Sequence, residues 1–149
     1  MNIFEEVRNL DFPDGQYVVV GSGPMAAHGL KEIQDVDIVV TSELFEKCKQ
    51  EGWEQVSWTY PERLGQVYLK RGLVELYLDV SCGDFNPTLE ELLQRTEYVE
   101  GIPFAALADI LQFKKAYGRS KHLEDVLEIE RYLKKRSDPD TSVKSSKPG

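Results

Sequence analysis

The chain has 149 residues, 41% of them apolar and 30% charged, with a formal net charge of −8 and two cysteines. That length suits one domain able to bury roughly two-thirds of its unfolded surface without disulfides or a structural metal. The acidity argues against extended DNA binding, which needs many Lys and Arg on one face, and no apolar run approaches the ~20 residues that span a membrane.

The start, through Glu5 and Glu6, lacks the basic flank and apolar core of a signal peptide. Cys48 and Cys82 form no C-x-x-C pair, so reduced thiols in a cytoplasmic setting are the expectation. Asn2–Leu10 reads as a short helix. Tyr17–Val20 is a β-branched run bounded by Gly15 and Gly21, which predicts a buried strand. A short helix or turn over Ser22–Leu30 precedes a second strand, Asp35–Val40. Thr41 caps a helix that Gly52 ends. Strands are predicted over Gln55–Tyr60, Gly65–Arg71 and Leu73–Ser81, with Arg71-Gly72 as a hairpin turn. Thr88–Gln94 is helical after Pro87, Tyr98–Pro103 is one short extended piece, and Phe104–Tyr117 and Lys121–Arg136 are closing helices separated by Gly118. From Ser137 onward large apolar residues are scarce, which predicts a disordered tail over 137–149 after a folded domain over 1–136. The order of elements predicts an α/β fold with a mixed sheet.

The segment that carries chemistry is Val20-Gly21-Ser22-Gly23 followed by Asp35-Val36-Asp37-Ile38. On a strand, Asp35 and Asp37 share a face while Val36, Ile38 and Val40 point into the packed side. Two such carboxylates repel, and a divalent cation relieves the repulsion; Mg²⁺ favours one or two carboxylates with phosphate oxygens. In Leu73–Val80, Glu75, Tyr77 and Asp79 share a face. Asp79 is the natural third acid, with Glu75 in its place if the register shifts. Asp79 has a plainer alternative, capping a turn into Ser81-Cys82-Gly83. Gly21 and Gly23 allow close backbone approach to a ligand, Ser22 offers a hydroxyl, and the helix start that follows directs N–H groups outward, together a phosphate cradle. Gly21-Ser-Gly23-Pro-Met-Ala26 also fits the dinucleotide pattern G-x-G-x-x-A, although Gly29 shortens the helix and the acids stand at the beginning of the second strand. Trp53 and Trp58 read as core or rim, and His28 and His122 as structural.

Gly21-Ser22 with Asp35-Val36-Asp37 resembles the Gly-Ser…Asp-x-Asp signature of the DNA polymerase β-like nucleotidyltransferases. Val20–Gly29 with Asp35–Val40 is similar to their small bacterial branch, related to abortive-infection toxins and minimal antibiotic nucleotidyltransferases. Leu107–Asp125, with Lys114, Gly118-Arg119 and Lys121, resembles that branch's final helix pair. The resemblance implies a nucleotidyltransferase-like mixed sheet flanked by helices, two of them C-terminal. It further implies that Gly21 and Ser22 bind triphosphate, that Asp35, Asp37 and Asp79 are catalytic and hold Mg²⁺, and that Lys114, Arg119 and Lys121 neutralise phosphate charge. His122 stands where the branch has an acid, and Leu30–Gln34 lacks the Arg-x-Thr that precedes its metal acids. The expected activity is transfer of a nucleoside monophosphate from a nucleoside triphosphate to an acceptor hydroxyl. The acceptor is left open among a small molecule, an RNA end and a protein. The alternative expectation is a catalytically silent nucleotide-binding or toxin–antitoxin-type partner with the same fold.

Overall fold

Tyr17–Val20 (β1) is buried at every position, and that demands cover on both faces. The computed structural model, which describes residues 1–118 and 122–137, supplies it as a seven-stranded mixed sheet with helices on either side. The elements are α1 (Ile3–Arg8), β1, α2 (Gly23–Ala27), β2 (Val36–Val40), α3 (Ser42–Gln50), β3 (Glu54–Ser57), β4 (Val67–Arg71), β5 (Val74–Tyr77), α4 (Leu89–Gln94), β6 (Glu97–Val99), β7 (Ile102–Phe104), α5 (Leu107–Tyr117) and α6 (Leu123–Ser137). Across the sheet the order is β3-β4-β5-β2-β1-β7-β6.

Local chemistry starts the helices. The Asn2 side chain accepts the Phe4 and Glu5 N–H groups, and Thr41 accepts Leu44 N–H at 3.2 Å. Thr88 and Glu91 form a reciprocal capping box ahead of α4, and Gly118, at φ 70°, closes α5. Four predicted elements differ from expectation. The helix expected from Phe104 starts at Leu107, because Phe104 ends β7 and pairs with Val19 of β1. The extended piece over Tyr98–Pro103 is a hairpin, β6 and β7, because Glu100 and Gly101 both take positive φ, 51° and 81°, in a tight turn. The strand expected to reach Tyr60 stops at Ser57, and a 3-10 turn over Pro61–Arg63 follows. The strand expected to reach Ser81 stops at Tyr77. Apart from Ser137, the predicted tail lies outside the described residues.

β1 and β2 are antiparallel, from Tyr17↔Val40 to Val20↔Asp37, whereas β5 runs parallel to β2. The antiparallel β1–β2 pair removes the parallel βαβ unit that a dinucleotide fold requires. Alternation then sorts the side chains. Val19, Ile38, Leu76, Leu69 and Phe104 face one core with Ile3 and Val7 of α1 and Leu44, Phe45 and Cys48 of α3. Val18, Val20 and Val39 face a second core under Leu92 of α4, Ile110 of α5 and Ile129 of α6. Each fully buried Val, Leu or Ile contributes about 1.5–3 kcal/mol. On the second face α4 lies against β1 and α5 against α6, and beyond them a cleft opens over the β2–β5 side of the sheet. No helix among the described residues is long and apolar enough to cross a membrane.

Candidate active site

The cleft encloses about 1000 Å³, with Gly21, Ser22, Asp35 and Asp37 toward β1 and Trp58, Tyr60 and Asp79 toward β3. Pairing explains the first group. Val20, the last residue of β1, is the register partner of Asp37, so the chain leaves the sheet at Gly21 beside the Asp37 carboxylate. Gly21 takes φ +64°, and a Cβ there would stand 2.5 Å from Asp37 Oδ2. Only glycine suits both the conformation and the space. Gly23 has a different role: a Cβ there would meet Val19 Cγ1 at 2.5 Å, so packing rather than ligand approach requires the glycine.

The parallel register sets Glu75 directly opposite Asp37. Asp79, expected as the third acid, lies two residues past the end of β5. It accepts Ser81 N–H at 3.0 Å, as a turn cap does, and the Arg63 guanidinium at 2.5 Å. It lines the cleft, but Glu75 is the acid that the strand pairing aligns with Asp37. Burial, then the like charges of Asp35 and Glu75, raise the Asp37 carboxyl to about 7, against an opposing pull from Lys114. The Tyr77 hydroxyl donates to Glu75 Oε1. Burial, followed by Asp37 and that hydrogen bond, pushes the phenol's pKa up, so the proton stays on the tyrosine. On Asp79, burial acts upward but is outweighed by the hydrogen bonds from Arg63 and Ser81, which hold the carboxyl below its usual range.

Cationic groups converge on the glycine turn. Lys114 of α5 is 4% exposed; its Nζ lies 3.0 Å from Asp125 Oδ2 and 3.4 Å from Ser22 Oγ. Lys31 Nζ makes the same pair of contacts, at 2.8 Å and 3.5 Å. Burial would lift the Asp125 carboxyl, but the hydrogen bonds from Lys31 and Lys114 bring it below its ordinary value. One carboxylate thus orients two ammonium groups toward Ser22, leaving a positive excess at the turn. Sequence reading gives no role to Lys31 or Asp125. The available signals are the place of Lys31 after the short helix that follows the glycine turn and of Asp125 four residues beyond Lys121. Arg119 and Lys121 lie outside the described residues. His28 sits away from the cleft between Tyr132 and Glu97, while His122 lines the cleft and stacks on Tyr117.

Among the described residues no three His, Cys, Asp or Glu side chains are grouped so as to hold a metal ion by themselves. Asp35 and Asp37 nevertheless fit a hard cation that takes its remaining ligands from phosphate oxygens, which is the habit of Mg²⁺. Their carboxylates are oxygen donors in a region where burial and like charge outweigh the pull of Lys114, and Asp37 abuts the backbone of the Gly21 turn. Compared with known proteins, the chain matches no family model and no curated protein.

Proposed function

We propose that the protein is a Mg²⁺-dependent nucleotidyltransferase with a nucleotidyltransferase-like fold of the DNA polymerase β type. The observation that carries this reading is the contact between the glycine turn and Asp37, flanked by Asp35 and Glu75 on one side and by Lys31 and Lys114 on the other. A polyphosphate and its cation need these two charge environments side by side.

In this reading Asp35 and Asp37 would hold Mg²⁺, which would supply positive charge to the phosphate oxygens. The Gly21-Ser22 turn grips the β- and γ-phosphates, and Lys31 and Lys114 meet the charge that gathers on the leaving pyrophosphate. Glu75, oriented by the Tyr77 hydroxyl, takes the proton from the acceptor hydroxyl as its oxygen bonds to the α-phosphorus. The bond from that phosphorus to the β-phosphate oxygen breaks, and pyrophosphate departs. Asp79 anchors Arg63 in the cleft wall rather than completing the acid group.

Incubation with each α-labelled nucleoside triphosphate, Mg²⁺ and cell extract tests the reading. Label should move to one acceptor, and Asp37→Asn and Glu75→Gln should each lower transfer by at least about 100-fold. Asp79→Asn should retain most of the activity. Normal turnover by Asp37→Asn would refute the assignment, and nucleotide binding without any labelled product would point to a silent partner protein.

A further inference from the structure

The half of the cleft farther from the glycine turn is walled by aromatic rings. On the cleft face, Tyr77 of β5 and Tyr68 of β4 have ring centroids 5.2 Å apart; Trp58 lies 5.7 Å and 5.0 Å from them, and Tyr60 is 5.8 Å from Trp58. The Arg63 guanidinium lies over one face of the Trp58 ring at 4.8 Å and is fixed by Asp79. A core cluster would be shielded, yet Tyr60 is 43% exposed, Trp58 is only partly buried, and both line the cleft with Tyr77. The Tyr60 hydroxyl meets the Tyr117 hydroxyl of α5 at 2.7 Å and joins the two walls.

Strand order gives this wall a place in the reaction. Across the sheet come the β1 turn, Asp37 on β2, Glu75 and Tyr77 on β5, Tyr68 on β4, and Trp58 after β3. Phosphoryl displacement is in line, with the entering oxygen opposite the leaving one. With polyphosphate on the β1 turn, the attacking oxygen arrives from the β5–β4–β3 side, over Glu75 and beside the rings.

Resting on the proposed transfer reading, we infer that Trp58, Tyr60 and Tyr77 form the acceptor subsite and that the acceptor is a nucleoside. Its base stacks on the Trp58–Tyr60 surface, and a ribose hydroxyl reaches Glu75. That oxygen bonds to the α-phosphorus, its proton passes to the Glu75 carboxylate, and pyrophosphate leaves. Stacking on tryptophan and tyrosine suits a planar heterocycle, because every base offers a π face. The net charge of −8 disfavours a long polyanion, so the ligand is a free nucleoside or the terminal nucleoside of an RNA.

Trp58 reports its own occupancy, because the other tryptophan, Trp53, is buried in the first core. The test titrates the intact protein with adenosine, then with a short single-stranded RNA, following tryptophan emission, and separately measures binding of Mg²⁺-tripolyphosphate. Adenosine should quench the emission. Trp58→Leu should weaken adenosine binding, measured by equilibrium dialysis, by about tenfold or more, while Trp58→Phe stays within roughly threefold of wild type. Tripolyphosphate affinity should be unchanged in both. Tyr60→Ala, at an exposed position, repeats the measurement should Trp58→Leu unfold. RNA binding tighter than adenosine assigns the terminal nucleoside, and equal binding assigns the free one. Absence of adenosine binding, or equal affinity in Trp58→Leu, overturns the acceptor subsite even where tripolyphosphate binds. Adenosine binding without tripolyphosphate binding overturns the transfer reading instead.

Discussion

Along β2 and β5, consecutive residues belong to two different regions of the molecule. Ile38 and Leu76 face the first core and are fully shielded in a cluster that includes apolar residues of α1, α3 and β4. Asp37 and Glu75, one residue earlier on each strand, face the cleft, where burial and like charge work against the ionised form of Asp37. The strands and their pairing are shared, so the contrast comes from what covers each face. The comparison teaches that one strand can build a core with one face and present carboxylates to a cleft with the other. Truncating Ile38 or Leu76 should therefore cost stability and spare the cleft, whereas altering Asp37 or Glu75 should change the cleft without opening a cavity.

The sharpest way to break that division is a pair of neighbours. Leu76→Ala should lose about 2–5 kcal/mol in urea unfolding, since it leaves a cavity in a fully packed site. Glu75→Gln should change unfolding by less than about 1 kcal/mol while abolishing transfer. Equal destabilisation by the two would show that Glu75 is a packing residue.

A smaller effect comes from Asp37. Its carboxyl is raised to about 7 in the folded protein, against roughly 3.9 in an unfolded chain, so the folded state binds the proton more tightly. That contribution is fully present below the unfolded value and is lost as pH rises through about 7. Metal-free Asp37→Asn, which does not titrate, should exceed wild type in stability by on the order of 2 kcal/mol at about pH 8, with the difference vanishing toward about pH 4. Urea midpoints in a chelating buffer across this range give the answer, and a flat difference would remove the buried-charge account.

Smallest is the effect expected at the start of α4, whose Leu92 packs in the second core and lines the cleft. Thr88→Ala breaks the capping box with Glu91 and should lower stability by about 1 kcal/mol with transfer unchanged. A loss of activity there would mean that α4 is coupled to the cleft.

Much of this contrast is legible in one dimension. The Tyr17–Val20 run, the Asp35-x-Asp37 alternation, the Thr41 cap and the helix after Pro87 depend on neighbouring residues, and each recurs in the structure at or within a residue of its expected position. Legible, too, are the mixed α/β class and the closing pair of helices. What escapes sequence reading depends on partners distant along the chain. The choice between Glu75 and Asp79 follows from where β5 ends and how it registers against β2, which no local pattern specifies. The Lys31–Asp125 pair joins residues 94 apart in sequence. Trp58 is partly buried at the cleft, in keeping with a rim position, and its place beside Tyr68 and Tyr77 follows from the strand order. The β6–β7 turn was hidden because Glu100 takes a positive φ that non-glycine residues seldom adopt.

The most direct measurement is calorimetric titration of a non-hydrolysable nucleoside triphosphate with Mg²⁺ into wild type, Asp37→Asn and Leu76→Val. Wild type and Leu76→Val should bind alike, and Asp37→Asn should bind at least about tenfold more weakly. Unaltered binding by Asp37→Asn, or no Mg²⁺-dependent binding by wild type, would contradict the account.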